Sequence, residues 1–203
     1  MGADKGLLIV FEGIDGTGKT TQIAALAEYL RGLGRDVVIT REPTDGPYGK
    51  RIRQLYVDRS LCNPKEEMEL FVNDRRQHVA EVIAPALAEG KIVLSDRYYF
   101  STVAYQGANG CDPDEIFAAN DFAPRPDLMI LLTLDVDQSA YRIKKLRGDE
   151  LDHFEEKGYL SKVADLFDSF THPFIRRIAA AAPPDKVGSD IRRQVDLLLG
   201  EAE

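Results

Sequence analysis

The stretch Glu12-Gly13-Ile14-Asp15-Gly16-Thr17-Gly18-Lys19-Thr20 constrains the chain more than any other. It follows a short apolar run, Leu7–Phe11, and opens into a helical pattern, Thr20–Arg31, with Ile23, Leu26, Ala27 and Leu30 on one face. Gly13, Gly18, Lys19 and Thr20 satisfy GxxxxGK[ST] in the context that pattern requires, a strand before and a helix after. Each residue type has a physical task. The glycines let the backbone curl until several N–H groups point at one anion. The following helix adds the positive end of its dipole. Lys19 supplies a full charge to the terminal phosphates of a nucleoside triphosphate, and the Thr20 hydroxyl is a ligand for Mg²⁺.

The rest of the chain extends that beginning into one architecture. Apolar runs at Val37–Thr40, Ile92–Leu94 and Leu128–Leu134 read as strands. Between them the spacing predicts helices over Pro47 to about Asp58, from an Asn63-Pro64 cap to about Ala88 with a kink at Pro85, and over Phe100–Gln106 and Gln138–Leu146. Beyond them it predicts a long helix over Leu160–Ala181, a short edge strand near Lys186–Val187 and a last helix over Ile191–Leu199. No repeat or linker interrupts the pattern, so residues 1–203 read as a single domain. Strands alternating with helices imply an α/β fold, a parallel sheet with helices on both faces. In such sheets ligands bind beyond the carboxyl ends of the strands.

A net charge of −8 argues against a nucleic-acid partner held by a broad basic surface. No apolar run approaches the length of a membrane span, and the N-terminus lacks the layout of a signal peptide. Cys62 and Cys111 make neither a zinc site nor a disulfide framework, which fits a reducing cytoplasm. No Asn-Lys-x-Asp follows a later strand, so the chain does not read as a GTPase, and a motor ATPase needs more chain.

A small kinase needs a second anion site, and other strand ends offer one. Asp96 and Arg97 follow Ile92–Leu94. Asp96 is placed to hold Mg²⁺ and Arg97 to bridge phosphates. Arg41-Glu42-Pro43 follows Val37–Thr40. In the helix after Asn63, Arg75 lies four residues after Phe71 and four before Val79, inside an apolar stripe. Two readings fit a guanidinium there. Phe71 stacks on a planar base while Arg75 donates to a carbonyl, or Arg75 snorkels to solvent or pairs with a glutamate on a neighbouring helix.

Taken together, FEGIDGTGKTT, TREP at Thr40–Pro43, Phe71-x-x-x-Arg75, DRYYFSTVAYQG at Asp96–Gly107, RPDLMILLTLD at Arg125–Asp135 and RIKKLRG at Arg142–Gly148 resemble the bacterial thymidylate kinases over nearly the whole chain. The resemblance implies a three-layer P-loop kinase fold with a small mobile lid at about 142–158. It implies transfer of the ATP γ-phosphoryl group to dTMP with Mg²⁺, and a homodimer. Gly13, Ile14, Asp15, Gly16, Thr17, Gly18, Lys19, Thr20, Thr21 and Arg142 would then bind ATP, with Thr20 and Asp96 on the metal. Asp15 would orient the dTMP sugar, Phe71 stack on thymine and Arg75 bond its carbonyl. Arg97 would hold the acceptor phosphate. Thr102 and Gln106 would read the base edge and Tyr105 crowd the sugar 2′ position, with Glu42, Pro43, Ser101 and, more weakly, Arg53 also at the acceptor. The phosphate loop has no arginine of its own, so the lid would supply one, Arg147 among the candidates Arg142, Lys144, Lys145 and Arg147. Two segments depart from the family pattern, Thr44-Asp45-Gly46-Pro47-Tyr48-Gly49 after TREP and Asp152-His153-Phe154-Glu155 in the lid. A kinase with another nucleotide or deoxynucleoside acceptor, or a weakly catalytic nucleotide sensor, remains open on these residues.

Overall fold

Alternation along the first strand, β1 (Leu7–Glu12), divides the core in two. Leu8 and Val10 face one side, Ile9 and Phe11 the other, and all four are buried. A computed structural model describes residues 6–57, 61–147 and 157–200, with backbone only at 146, 147 and 157. In it β1 is the middle of a five-stranded parallel sheet with β2 (Val37–Arg41), β3 (Ile92–Asp96), β4 (Leu128–Thr133) and β5 (Ile175–Ala179), in the order β2-β3-β1-β4-β5. Helices packed on both faces of the sheet explain why β1 is apolar almost throughout.

The Ile9–Phe11 side packs on α1 (Lys19–Gly32) and α9 (Pro184–Leu199) through Ile23, Leu26, Leu30, Val187, Ile191 and Val195. The Leu8–Val10 side packs on α3 (Pro64–His78), α5 (Tyr99–Ala108) and α8 (Lys157–Ser169) through Met68, Val103, Leu160, Val163 and Phe167. Two shorter helices, α2 (Pro47–Leu55) and α6 (Pro113–Ala119), and α7 (Val136–Arg147) complete the described elements together with α4 (Ala84–Ala88). No described helix is long and apolar enough to cross a membrane.

The Asn63 cap is as the sequence predicts. Its side chain accepts from the Glu66 N–H at 3.0 Å, and Glu66 accepts in return from the Asn63 N–H at 2.9 Å. The disturbance expected at Pro85 takes the form of a π-helical turn, Val79–Ile83, between α3 and α4. Pro85 has no N–H to give the carbonyl one turn earlier, and the wider turn relieves the ring. The expected end of α2 near Asp58 lies outside the described residues.

Two expectations need correction, and one helix was not expected. The helix predicted over Leu160–Ala181 stops at Ser169, and Ile175–Ala179 is the fifth strand. Pro173 cannot continue the helical bonding and restricts the residue before it. Arg177 then donates to the carbonyls of Phe167, Asp168 and Phe170, satisfying the exposed helix end from the strand. Lys186 and Val187 are not an edge strand but part of α9, which starts at Pro184 and turns Val187 into the core. The sequence reading also passed over α6, although Asp112 accepts from the Asp114 N–H and Pro113 stands at the first helical position.

Replacing Asn63 by alanine removes one half of the capping box. It is expected to cost about 1 kcal/mol of stability in urea unfolding, with an unchanged m-value. No loss would contradict the cap's contribution.

Candidate active site

Gly13 opens the loop after β1 at φ 128°, and a Cβ built there would lie 2.3 Å from the Leu132 carbonyl oxygen on β4. No other residue type fits that approach. On its outer side the loop leans on α7: Ser139 Oγ donates to the Asp15 carbonyl, and Arg142 donates to the carbonyls of Gly16 and Ala180. Thr17 Oγ1 donates to the Ile14 carbonyl at 2.9 Å. The buried Lys19 ammonium donates to the carbonyls of Gly13 (2.9 Å) and Ile14 (3.1 Å). Burial first, and the charge of Arg97 second, push it down from the ordinary lysine value. Thr20 and Thr21 lie exposed in the first turn of α1, where Gly18 at φ 88° turns the chain into the helix.

The Thr20 hydroxyl donates to Asp96 Oδ2 at 2.8 Å, across from β3. This pair presents hard oxygens only, a set suited to Mg²⁺ held mostly by water and phosphate. No group of three or more His, Cys, Asp or Glu among the described residues is arranged as a complete metal cage.

Arg97 follows β3 at φ 71°, a left-handed conformation rare outside glycine. Its N–H donates to the Phe11 carbonyl at 2.9 Å, and its carbonyl accepts from Ser95 Oγ at 2.8 Å. Its guanidinium donates to Asp15 Oδ1 (2.7 Å), Ser101 Oγ (3.0 Å) and the Tyr105 hydroxyl (3.3 Å), and lies over the Tyr105 ring. Strand end, phosphate loop and α5 therefore meet at one side chain.

A second arginine organises a neighbouring polar network. Arg75 is 1% exposed. Its Nε and Nη2 donate to Glu42 Oε2, its Nη1 to Asn120 Oδ1 (2.6 Å) and its Nη2 to Thr102 Oγ1 (3.0 Å). Arg75 does pair with a glutamate, but its partner Glu42 comes from the loop after β2 and not from a helix as expected. The other Glu42 oxygen lies 3.0 Å from His78 Nδ1, and His78 Nε2 lies 2.6 Å from the Thr40 hydroxyl. Phe71 stands half-buried one turn before Arg75 on α3. Gln106 stands one turn after Thr102 on α5. It is fully buried, and neither its Oε1 nor its Nε2 has a hydrogen-bond partner among the described residues.

The segment that departs from the family pattern is well tied. Thr44 donates through its N–H (2.8 Å) and its hydroxyl (2.6 Å) to the buried Asp74 of α3. Arg53 donates to the carbonyls of Pro43 and Thr44 and to Asp45. Arg53 thus braces this loop from α2. The Arg147 side chain and residues 148–156 of the expected lid, His153 included, lie outside what the structure describes, and Lys144 and Lys145 are exposed on α7.

Sequence reasoning missed Glu12, Asn120, Asp74 and Ser139. Glu12 left a signal, a lone charge closing an otherwise apolar strand. It is 0% exposed, and burial pushes its carboxyl up from 4.5 to about 7, against the Ser101 hydrogen bond and the Arg97 charge. Between those values the folded chain binds more protons there than the unfolded one. Stability at this site therefore falls as pH rises, by at most about 1.4 kcal/mol per pH unit. Glu12→Gln is expected to flatten that limb in urea titrations, and an unchanged slope would contradict it.

The comparisons agree with this geometry. The family model described as thymidylate kinase matches residues 11–191. The chain is 52% identical over 199 residues to the thymidylate kinase of Desulfotalea psychrophila, covering 98% of both chains. It is 46% identical over 197 residues to that of Akkermansia muciniphila, covering 97% of this chain and 94% of the relative. To that of Xanthomonas campestris pv. campestris it is 47% identical over 182 residues, covering 90% and 79%. With a phosphate loop at the end of the central strand and a buried arginine network beside it, the chain belongs to the thymidylate kinase family.

Proposed function

We propose that this chain transfers the γ-phosphoryl group of ATP to dTMP and releases dTDP and ADP. The observation that carries the acceptor is the Gln106 carboxamide, a buried donor beside a buried acceptor with no partner among the described residues. Leaving such groups unmade costs about 1–3 kcal/mol each. A pyrimidine edge with an N–H next to a carbonyl satisfies both. A carboxamide can turn over to suit cytosine as well, so Arg75 carries the discrimination. It only donates, and it favours the carbonyl of thymine over the amino group of cytosine. Phe71, one turn away, offers the face on which the ring stacks.

On this reading an oxygen of the dTMP phosphate attacks the γ-phosphorus. The bond to the bridging oxygen breaks, and its electrons leave with ADP. The protein contributes position and charge. Lys19 and the loop N–H groups hold the donor phosphates, and Arg97 holds the acceptor phosphate. Asp15 orients the acceptor sugar, and Tyr105 beside it favours deoxyribose. Thr20 and Asp96 would hold Mg²⁺, which neutralises phosphate charge. Arg147 is the lid arginine assigned to the transferring group. The reading extends to a cytoplasmic homodimer, as the family resemblance implies.

A coupled ADP-release assay across dTMP, dUMP, dCMP, dGMP, AMP and thymidine tests the acceptor. Turnover is expected with dTMP, lost on chelation of Mg²⁺, and turnover confined to another acceptor would overturn the assignment. Lys19→Ala is expected to abolish transfer with the circular dichroism spectrum intact. Phe71→Ala should raise the KM for dTMP by about tenfold or more and leave that for ATP nearly unchanged. Arg147→Ala should lower kcat with little change in ATP affinity, and loss of affinity alone would make it a ground-state contact.

A further inference from the structure

We propose that Glu12 is a positioning residue for the transfer, clamping the Arg97 guanidinium through the Ser101 hydroxyl at the point where its own backbone enters the phosphate loop. Glu12 Oε1 accepts from the N–H groups of Tyr98 (2.9 Å) and Ser101 (3.1 Å), at the start of α5. Its Oε2 accepts from Ser101 Oγ, which in turn accepts from Arg97 Nη1 at 3.0 Å. The other end of the guanidinium donates to Asp15 at 2.7 Å. Arg97 is therefore gripped from two points three residues apart on one loop. Donor cradle and acceptor arginine are thereby tied together, because one short segment carries both grips.

The chemistry requires a carboxylate. Three donors converge on Glu12, and a carboxylate accepts at both oxygens without donating. A carboxamide would turn an N–H toward Ser101 Oγ and compete there with Arg97. The left-handed backbone of Arg97 gives the clamp something to oppose. Such a conformation costs on the order of 1–3 kcal/mol and persists only where surroundings over-determine it. The Phe11 carbonyl and Ser95 hold its backbone, and Glu12 with Asp15 hold its side chain.

The inference rests on the dTMP kinase reading, and the experiment separates the two. Glu12→Gln is expected to raise the KM for dTMP and lower kcat, each by about tenfold, with the KM for ATP within twofold. Ser101→Ala, which keeps the carboxylate and guards against a folding failure, should show the same pattern more weakly. The double variant should be no worse than Glu12→Gln alone, since both act through one contact. Additive losses, or an ATP KM that rises with the dTMP KM, overturn the clamp. A crystal structure of Glu12→Gln gives a readout free of the acceptor's identity. Arg97 is expected to leave Ser101, and retention of that contact refutes the clamp even if the wild-type enzyme proves to use another acceptor. If the wild-type enzyme turns over dTMP and the variant's dTMP KM is unmoved, only the clamp fails.

Discussion

The close passage of Gly13 against the Leu132 carbonyl sets the geometry of everything above the sheet. With hydrogen in place of a side chain, the backbone turns over the end of β4 and brings Asp15, Lys19 and Thr20 above the strand ends. Ser139 and Arg142 hold the turn from α7, and α1 leaves from it into the core. Any bulk at Gly13 would displace the whole loop, and with it each group proposed to meet a phosphate.

Beside that loop, the interior admits charge only where it is answered. Glu42 serves Arg75 with one oxygen and His78 with the other, while Asn120 and Thr102 take remaining guanidinium protons. Removing one partner from such a buried set typically costs about 3–5 kcal/mol, far more than an exposed pair contributes. The set joins the loop after β2 to α3 and α5. Gln106 is the exception among its neighbours, and an unmatched carboxamide in a satisfied wall is where a ligand's own polar edge belongs.

Much of this was legible in the sequence. The loop, the strand alternation and the Asn63 cap were readable because each is a local pattern with a local cause. Phe71 and Arg75 stood out by helical spacing alone, but spacing did not say that Glu42 and Asn120 would answer the charge. Those partners lie 33 and 45 residues from Arg75, and only the tertiary fold brings them there. The segment from Ser169 to Val187 misled for a related reason. Apolar residues such as Phe170, Ile175 and Ile178 fit either period, and the pairing of β5 with β4 decided between them. Glu12 was visible as a charge at the end of an apolar strand, while its role depends on Ser101, 89 residues away.

The proposed reaction requires that the two halves of the site act on one phosphoryl group. The decisive experiment is rapid mixing of the enzyme with γ-labelled ATP, Mg²⁺ and dTMP, with products separated within a single turnover. Label is expected in the β-position of dTDP, appearing as fast as ADP. Label found only in inorganic phosphate, or ADP formed at the same rate without dTMP, would contradict it.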